Sequence, residues 1–138
     1  MIINLSNSNK ILTDISIKSS HPINYYWLGR QPYKHIWKLQ KTLHSMVCNK
    51  EINDIVLFLE HEHVYTFGKN ANRNHLLSNR PQNTDVVLTD RGGDVTYHGP
   101  AQLVGYPITN LNNYNKSVSW YMRTLEEIII STLHKLAI

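Results

Sequence analysis

Residues 85–108 read DVVLTDRGGDVTYHGPAQLVGYPI, and they gather the side chains of this chain best suited to chemistry. Arg91 carries five N–H donors on a rigid fork. Thr96, Tyr97 and Gln102 add donors and acceptors, and His98 adds a ring that is neutral or charged near pH 7. Gly92 and Gly93 let the backbone take φ > 0 or approach another group closely. Donors and aromatic surface around a glycine-opened backbone have the look of a binding site. The same residues also have a plainer reading. Gly-Gly is a two-residue hairpin signal, Thr, Tyr and Val are ordinary strand residues, and a lone histidine is more often structural than catalytic.

Two other places invite chemistry. His61 and His63 lie two apart, so on a strand they would share a face and could ligate a metal. No cysteine or further histidine accompanies them at ligand spacing, and two ligands do not make a zinc site, so a polar turn is expected and no metal. Cys48, the single cysteine, excludes an intramolecular disulfide and suits a reducing compartment. It sits near the end of an expected helix, where a free cysteine usually just packs.

The elements that must position these residues follow from pattern. Residues 23–28 read as a strand with Tyr25, Tyr26 and Trp27. Pro32 suits the first turn of a helix whose buried face is Tyr33, Ile36, Trp37, Leu43 and Val47. The run Ile55-Val56-Leu57-Phe58-Leu59 reads as a strand buried on both faces, and residues 64–68 as another. Residues 69–85 form a long polar loop of the kind that often borders a site. Val86-Val87-Leu88, residues 95–98 and residues 103–108 are three more strands. Ser117 is an N-cap for a helix whose apolar face is Val118, Tyr121, Leu125, Ile128, Ile129, Leu133 and Leu136. The pattern is α+β, a mixed and largely antiparallel sheet packed with helices.

The 138 residues make one domain of ordinary soluble composition, 41% hydrophobic and 17% charged. No stretch is apolar enough to span a bilayer and no signal-peptide core follows the start, so no membrane partner and a cytoplasmic location are expected. The net charge of +4 comes from singly scattered basic residues with no recognition motif, which argues against nucleic acid.

The string RGGDVTYHGP, followed by Gln102, Val104 and Tyr106, closely resembles the signature of the lipoyl(octanoyl) transferases of the biotin/lipoate protein ligase fold family. Leu59-Glu60-His61 with Val64-Tyr65-Thr66-Phe67-Gly68 resembles the strands ahead of that signature, and His75-Leu76-Leu77 the loop between. Trp27-Leu28-Gly29, Tyr33, Trp37 and Gln40 resemble the family's first strand and helix. Tyr121, Arg123, Leu125-Glu126 and Leu133 resemble its next helix. The resemblance covers residues 25–138. One position departs: Ala101 stands where the family usually has glycine, at a cost on the order of 1 kcal/mol if φ must be positive there.

The resemblance implies the biotin/lipoate ligase catalytic fold, class II synthetase-like, with its C-terminal part missing. Residues 21–138 would be the N-terminal part of that domain, behind a poorly defined segment at residues 1–20. It implies transfer of an octanoyl group from octanoyl-acyl carrier protein, through an enzyme cysteine, to a lysine of lipoyl domains. The acceptors would be those of 2-oxoacid dehydrogenase complexes and the glycine cleavage H protein. Thioester to amide runs downhill, so no cofactor is expected. The substrate would be held by Arg91, Gly92, Gly93, Asp94, Val95, Thr96, Tyr97 and His98, with Tyr97, Val104 and Tyr106 lining an acyl slot. No catalytic residue is expected within the chain. The family's nucleophilic cysteine and activating lysine are expected beyond Ile138, so the chain alone is expected to be inactive. Alternatives are an ATP-dependent lipoate or biotin ligase relative and a non-catalytic module that holds a carrier or lipoyl domain.

Overall fold

In the computed structural model, which describes residues 22–138, the chain opens as a strand, β1 (Ile23–Gln31), and crosses through a helix, α1 (Tyr33–Cys48). It returns as β2 (Asp54–His61), and β3 (Val64–Phe67), β4 (Asp85–Leu88), β5 (Val95–His98) and β6 (Val104–Ile108) follow. The expectation for residues 1–20 lies outside the described residues. The described residues up to Ile108 form one unit and Thr109–Ile138 another.

The strands make two three-stranded sheets, β1-β2-β6 and β4-β3-β5. β1 pairs parallel with β2 and β3 parallel with β4, whereas β2–β6 and β3–β5 are antiparallel. The sheets are therefore mixed as expected, but antiparallel pairs are half of the pairings, not most. The reason lies in the connections. Parallel neighbours need a long return path, supplied by α1 in one sheet and by residues 68–84 in the other.

β2 is the spine of the first sheet. Its residues 55, 57, 59 and 61 are buried, in phase with Tyr26 and Leu28 of β1. α1 covers this face with Ile36, Val47, Leu39 and Leu43. Tyr33 and Trp37, from the same expected stripe, pack instead against Val64 and Val87 of the second sheet. One helix thus seals both sheets, and Ile36, wholly buried, contributes about 2–3 kcal/mol by that burial alone.

β1 runs three residues further than expected because a register shift between Trp27 and Arg30 absorbs Leu28-Gly29 as a bulge. Gln31 closes it by donating to the Leu28 carbonyl at 2.7 Å. Gln31 then stands opposite His61. Pro32, extended at φ −61°, precedes the helix as its N-cap and does not lie within its first turn.

In the second unit a helix, α2 (Val118–Lys135), starts at Ser117, whose side chain accepts from the Trp120 N–H at 3.2 Å as an N-cap should. Tyr114 stacks on Trp120. The expected apolar stripe forms, but no residue of α2 is buried. Past the helix, the Ile138 N–H donates back to Leu133 O at 3.1 Å, and the Ile138 side chain is exposed. Among the described residues, no helix is long and apolar enough to cross a membrane.

Candidate functional site

The hairpin reading of Arg-Gly-Gly fails on topology. β4 and β5 do not pair; β3 lies between them, with Phe67 opposite both Leu88 and Val95. Residues 89–94 must therefore arch over the end of β3, where Gly68 sits. The arch is stitched to that end by Thr89 N–H to Phe67 O (2.9 Å), Lys69 N–H to Arg91 O (3.0 Å) and Gly68 N–H to Asp94 O (3.4 Å). Gly93 takes φ +80° at the bend, a conformation a side chain resists.

Three side chains of the arch hold it in place. Arg91 turns inward: Nη2 donates to Thr66 O, Thr66 Oγ1 and Asp94 O, each at 2.8 Å, and Nη1 donates to Gly92 O at 2.8 Å. Asp94 Oδ1 accepts from the N–H groups of Asn72 (3.1 Å) and Val95 (2.8 Å), and Oδ2 meets His75 Nδ1. The Val95 N–H is the main reason its carboxyl stays below the usual range. Asp90 pairs with Lys41 of α1 at 3.1 Å, and Lys41 also lies over the Trp37 ring. Among the described residues, nothing accepts from the N–H groups of Gly92 and Gly93. Two such groups at a bend with φ > 0 are where a carbonyl oxygen or anion would be bound.

Beside the arch the chain changes sheet twice, at Glu62-His63 and again at residues 99–103. Those crossings bring four rings together: Tyr33, His61, His98 and Tyr106. Tyr33 stacks on His98 at 6.0 Å between centroids, and the His61 and His98 rings meet edge-on at 5.5 Å. The Gln31 carbonyl can only accept, so His61 Nδ1 carries the proton and donates to it at 3.0 Å. His61 Nε2 is then bare and accepts from the Tyr106 O–H at 2.8 Å. His98 donates from Nδ1 to Gln102 Oε1 at 3.0 Å, leaving Nε2 as its acceptor. Burial lowers the pKa of both histidines and raises those of Tyr33 and Tyr106, so all four rings are neutral at pH 7.

The residues singled out from sequence divide between two faces. Thr96 and His98 share the inner face of β5 with Val64 and Thr66 opposite them. Val95 and Tyr97 point to the outer face, where Tyr97 packs on Tyr65 and shares a hydrogen bond with His63 (2.6 Å). Tyr97 is thus separated from Tyr106, and the slot expected from Tyr97, Val104 and Tyr106 draws on two different faces. Val104 and Tyr106 stand opposite Leu59 and Leu57, on the face that α1 covers. His61 and His63 do not share a turn or a ligand: one is buried, the other exposed. Among the described residues, no three His, Cys, Asp or Glu side chains gather as a metal site. Cys48 is exposed, with its sulfur 3.8 Å from His44, and lies 15 residues along α1 from Tyr33, about 22 Å away. The nucleophilic cysteine and the lysine expected beyond Ile138 lie outside the described residues, and Ile138 itself belongs to the second unit.

Sequence reasoning missed His61 and Tyr33 as members of this cluster. For His61 a signal existed: it continues the two-residue period of Ile55, Leu57 and Leu59, which places it on the buried face. Tyr33 had none, since its helical spacing matches the core stripe.

Two expected outcomes follow. Because both histidine pKa values lie below the ordinary 6.5, the unfolded chain takes up protons in acid that the folded chain refuses. Stability is full above pH 6.5 and is lost as pH falls toward the folded values. Urea unfolding stepped from pH 7.5 to about pH 5 will show this decline, and His98→Gln will make it shallower. Ala101 adopts φ +64°, the strained region, while its N–H donates to Glu60 Oε2 at 3.0 Å. Ala101→Gly will keep that bond and relieve the Cβ, a net gain of about 0.5–1 kcal/mol after the extra freedom of unfolded glycine. Unchanged urea stability would contradict it.

A family model described as the lipoyl protein ligase A/B catalytic domain matches residues 32–138. An octanoyltransferase of Gloeobacter violaceus is 42% identical over 106 residues, 76% of this chain and 47% of that protein. One from Nostoc punctiforme is 41% identical over 124 residues, 85% of this chain and 54% of that protein. A chloroplastic octanoyltransferase of Arabidopsis thaliana is 44% identical over 110 residues, 74% of this chain and 39% of that protein. The chain spans about half the length of the curated relatives it matches. The match over residues 32–138 and these relatives make one assignment: the chain belongs to the lipoyl protein ligase A/B catalytic domain family.

Proposed function

We propose that this chain is the acyl-binding part of an octanoyltransferase, which moves an octanoyl group from an acyl carrier protein to a lysine of lipoyl domains. The observation that carries the reading is the neutral ring cluster beside an arch with two unengaged N–H groups. A thioester needs both: donors for its carbonyl oxygen, and uncharged surface for its chain. Burying about six methylenes at roughly 0.8 kcal/mol each gives about 5 kcal/mol of affinity. Arg91, Asp94 and Thr96 hold the arch and inner face, Gly92 and Gly93 meet the carbonyl, and His98, Tyr106 and Val104 border the chain. That the relatives are octanoyltransferases supports a transferase over an ATP-dependent ligase.

The transfer itself breaks the carbon–sulfur bond of the carrier thioester and forms one to an enzyme thiolate. The lysine amine then displaces that thiolate. The sulfur of Cys48 meets His44 on its own helix, and the family resemblance puts the attacking cysteine, and its lysine, beyond Ile138. Residues 21–138 are accordingly the N-terminal part of the catalytic domain, and a single exposed thiol fits our assignment to the cytoplasm. Titration calorimetry with the octanoyl thioester of N-acetylcysteamine tests the reading. The chain will bind it and leave it intact, and His98→Ala will weaken binding about tenfold. Failure to bind, or octanoyl transfer catalysed by this chain alone, overturns the proposal.

A further inference from the structure

Residues 69–84 contain Lys69, Arg73 and Arg80 and no carboxylate, so three charges of the net +4 stand in one loop. The scatter seen in sequence conceals this, because the three are spaced several residues apart. The loop is not loose. Its Lys69 N–H is bound to the arch at Arg91 O, and Asn72 and His75 are bound to the Asp94 carboxylate. The cations are thus carried on the same frame as the acyl site.

The nearby carboxylates do not neutralise them. Glu60 pairs with Arg30, Asp90 with Lys41, and Asp94 is engaged by two backbone N–H groups and His75. Asp85, which follows the loop at the start of β4, makes no ion pair with any of the three. Among the described residues, no carboxylate lies within ion-pair distance of Lys69, Arg73 or Arg80. A surface that keeps its cations unpaired is complementary to an acidic one. Exposed apolar side chains accompany them: Leu77 in the loop (65% exposed), and Val86 (40%) and Leu88 (62%) on the strand it leads into. The loop has no Phe, Tyr or Trp on which a base would stack. Cations interleaved with leucine and valine suit an acidic protein face better than a phosphate backbone.

We infer that residues 69–84 are the docking surface for an acidic carrier protein, which they steer so that its acyl thioester enters beside the arch. This rests on the acyl-binding reading above, and the test separates the two. Lys69→Glu with Arg73→Glu changes two exposed residues and leaves the half-buried Arg80 alone. Lys69→Gln with Arg73→Gln is a milder companion in case reversal disturbs folding, which circular dichroism melts will show. The probes are octanoylated acyl carrier protein and the small octanoyl thioester of N-acetylcysteamine. The reversed chain should bind the carrier about tenfold more weakly at low salt, with a flattened salt dependence and a slower on-rate. The neutral pair should fall between, and the small thioester should bind all three chains alike. Equal carrier affinity in folded reversed and unaltered chains overturns the inference while leaving acyl binding standing. Duplex DNA bound more tightly than carrier, and lost on reversal, overturns it in favour of nucleic acid. If the unaltered chain binds neither probe, the acyl-binding reading fails and this one with it.

Discussion

Gly68→Ala is expected to cost about 3 kcal/mol or more, the largest effect of any single methyl group in the described chain. A Cβ built on Gly68 would lie 2.1 Å from Gly93 O and 2.9 Å from Gly92 O. Both are backbone atoms of the arch, so no rotamer change relieves the clash. Either the arch lifts from the end of β3 or the strand end distorts. Lifting it would break the Gly68 N–H bond to Asp94 O and the Lys69 N–H bond to Arg91 O. Gly92→Ala is the control. A Cβ there meets nothing within 4 Å, and its stability cost should stay within about 1 kcal/mol. Urea unfolding of the two variants measures the contrast. Equal midpoints would mean that the arch does not cross Gly68 as described.

The second large effect concerns Arg91. Its guanidinium ties two carbonyls and a hydroxyl of different segments through one nitrogen, and Thr66, which supplies two of those acceptors, is fully buried. A lysine offers one compact head and cannot reproduce a planar fork. Arg91→Lys should therefore destabilise the unit by about 2–4 kcal/mol, since charged hydrogen bonds are worth roughly 1.5–3 kcal/mol each and do not add fully. Affinity for the small octanoyl thioester should fall together with stability, because the arch that presents Gly92 and Gly93 loses its anchor. A variant that kept full stability and lost only affinity would show that Arg91 serves the ligand directly.

The sequence alone carried the strand and helix order, the Ser117 cap and the break at Arg91-Gly92-Gly93. Those features depend on local rules, φ preference and periodicity, which act over a few residues. It also carried enough of a family signature to imply the chemistry.

Tertiary structure decided what adjacency in sequence cannot. The strands flanking Arg91-Gly92-Gly93 are separated by β3, so a segment that reads as a hairpin is a bridge, because register depends on partners 21 to 34 residues away. Tyr97 and His98, neighbours in the chain, serve opposite faces, since side chains alternate along a strand. His61 and Tyr33 enter the ring cluster only when two sheets meet. The Arg91 guanidinium, expected to face a ligand, is directed inward by acceptors on β3 and the arch that only folding assembles.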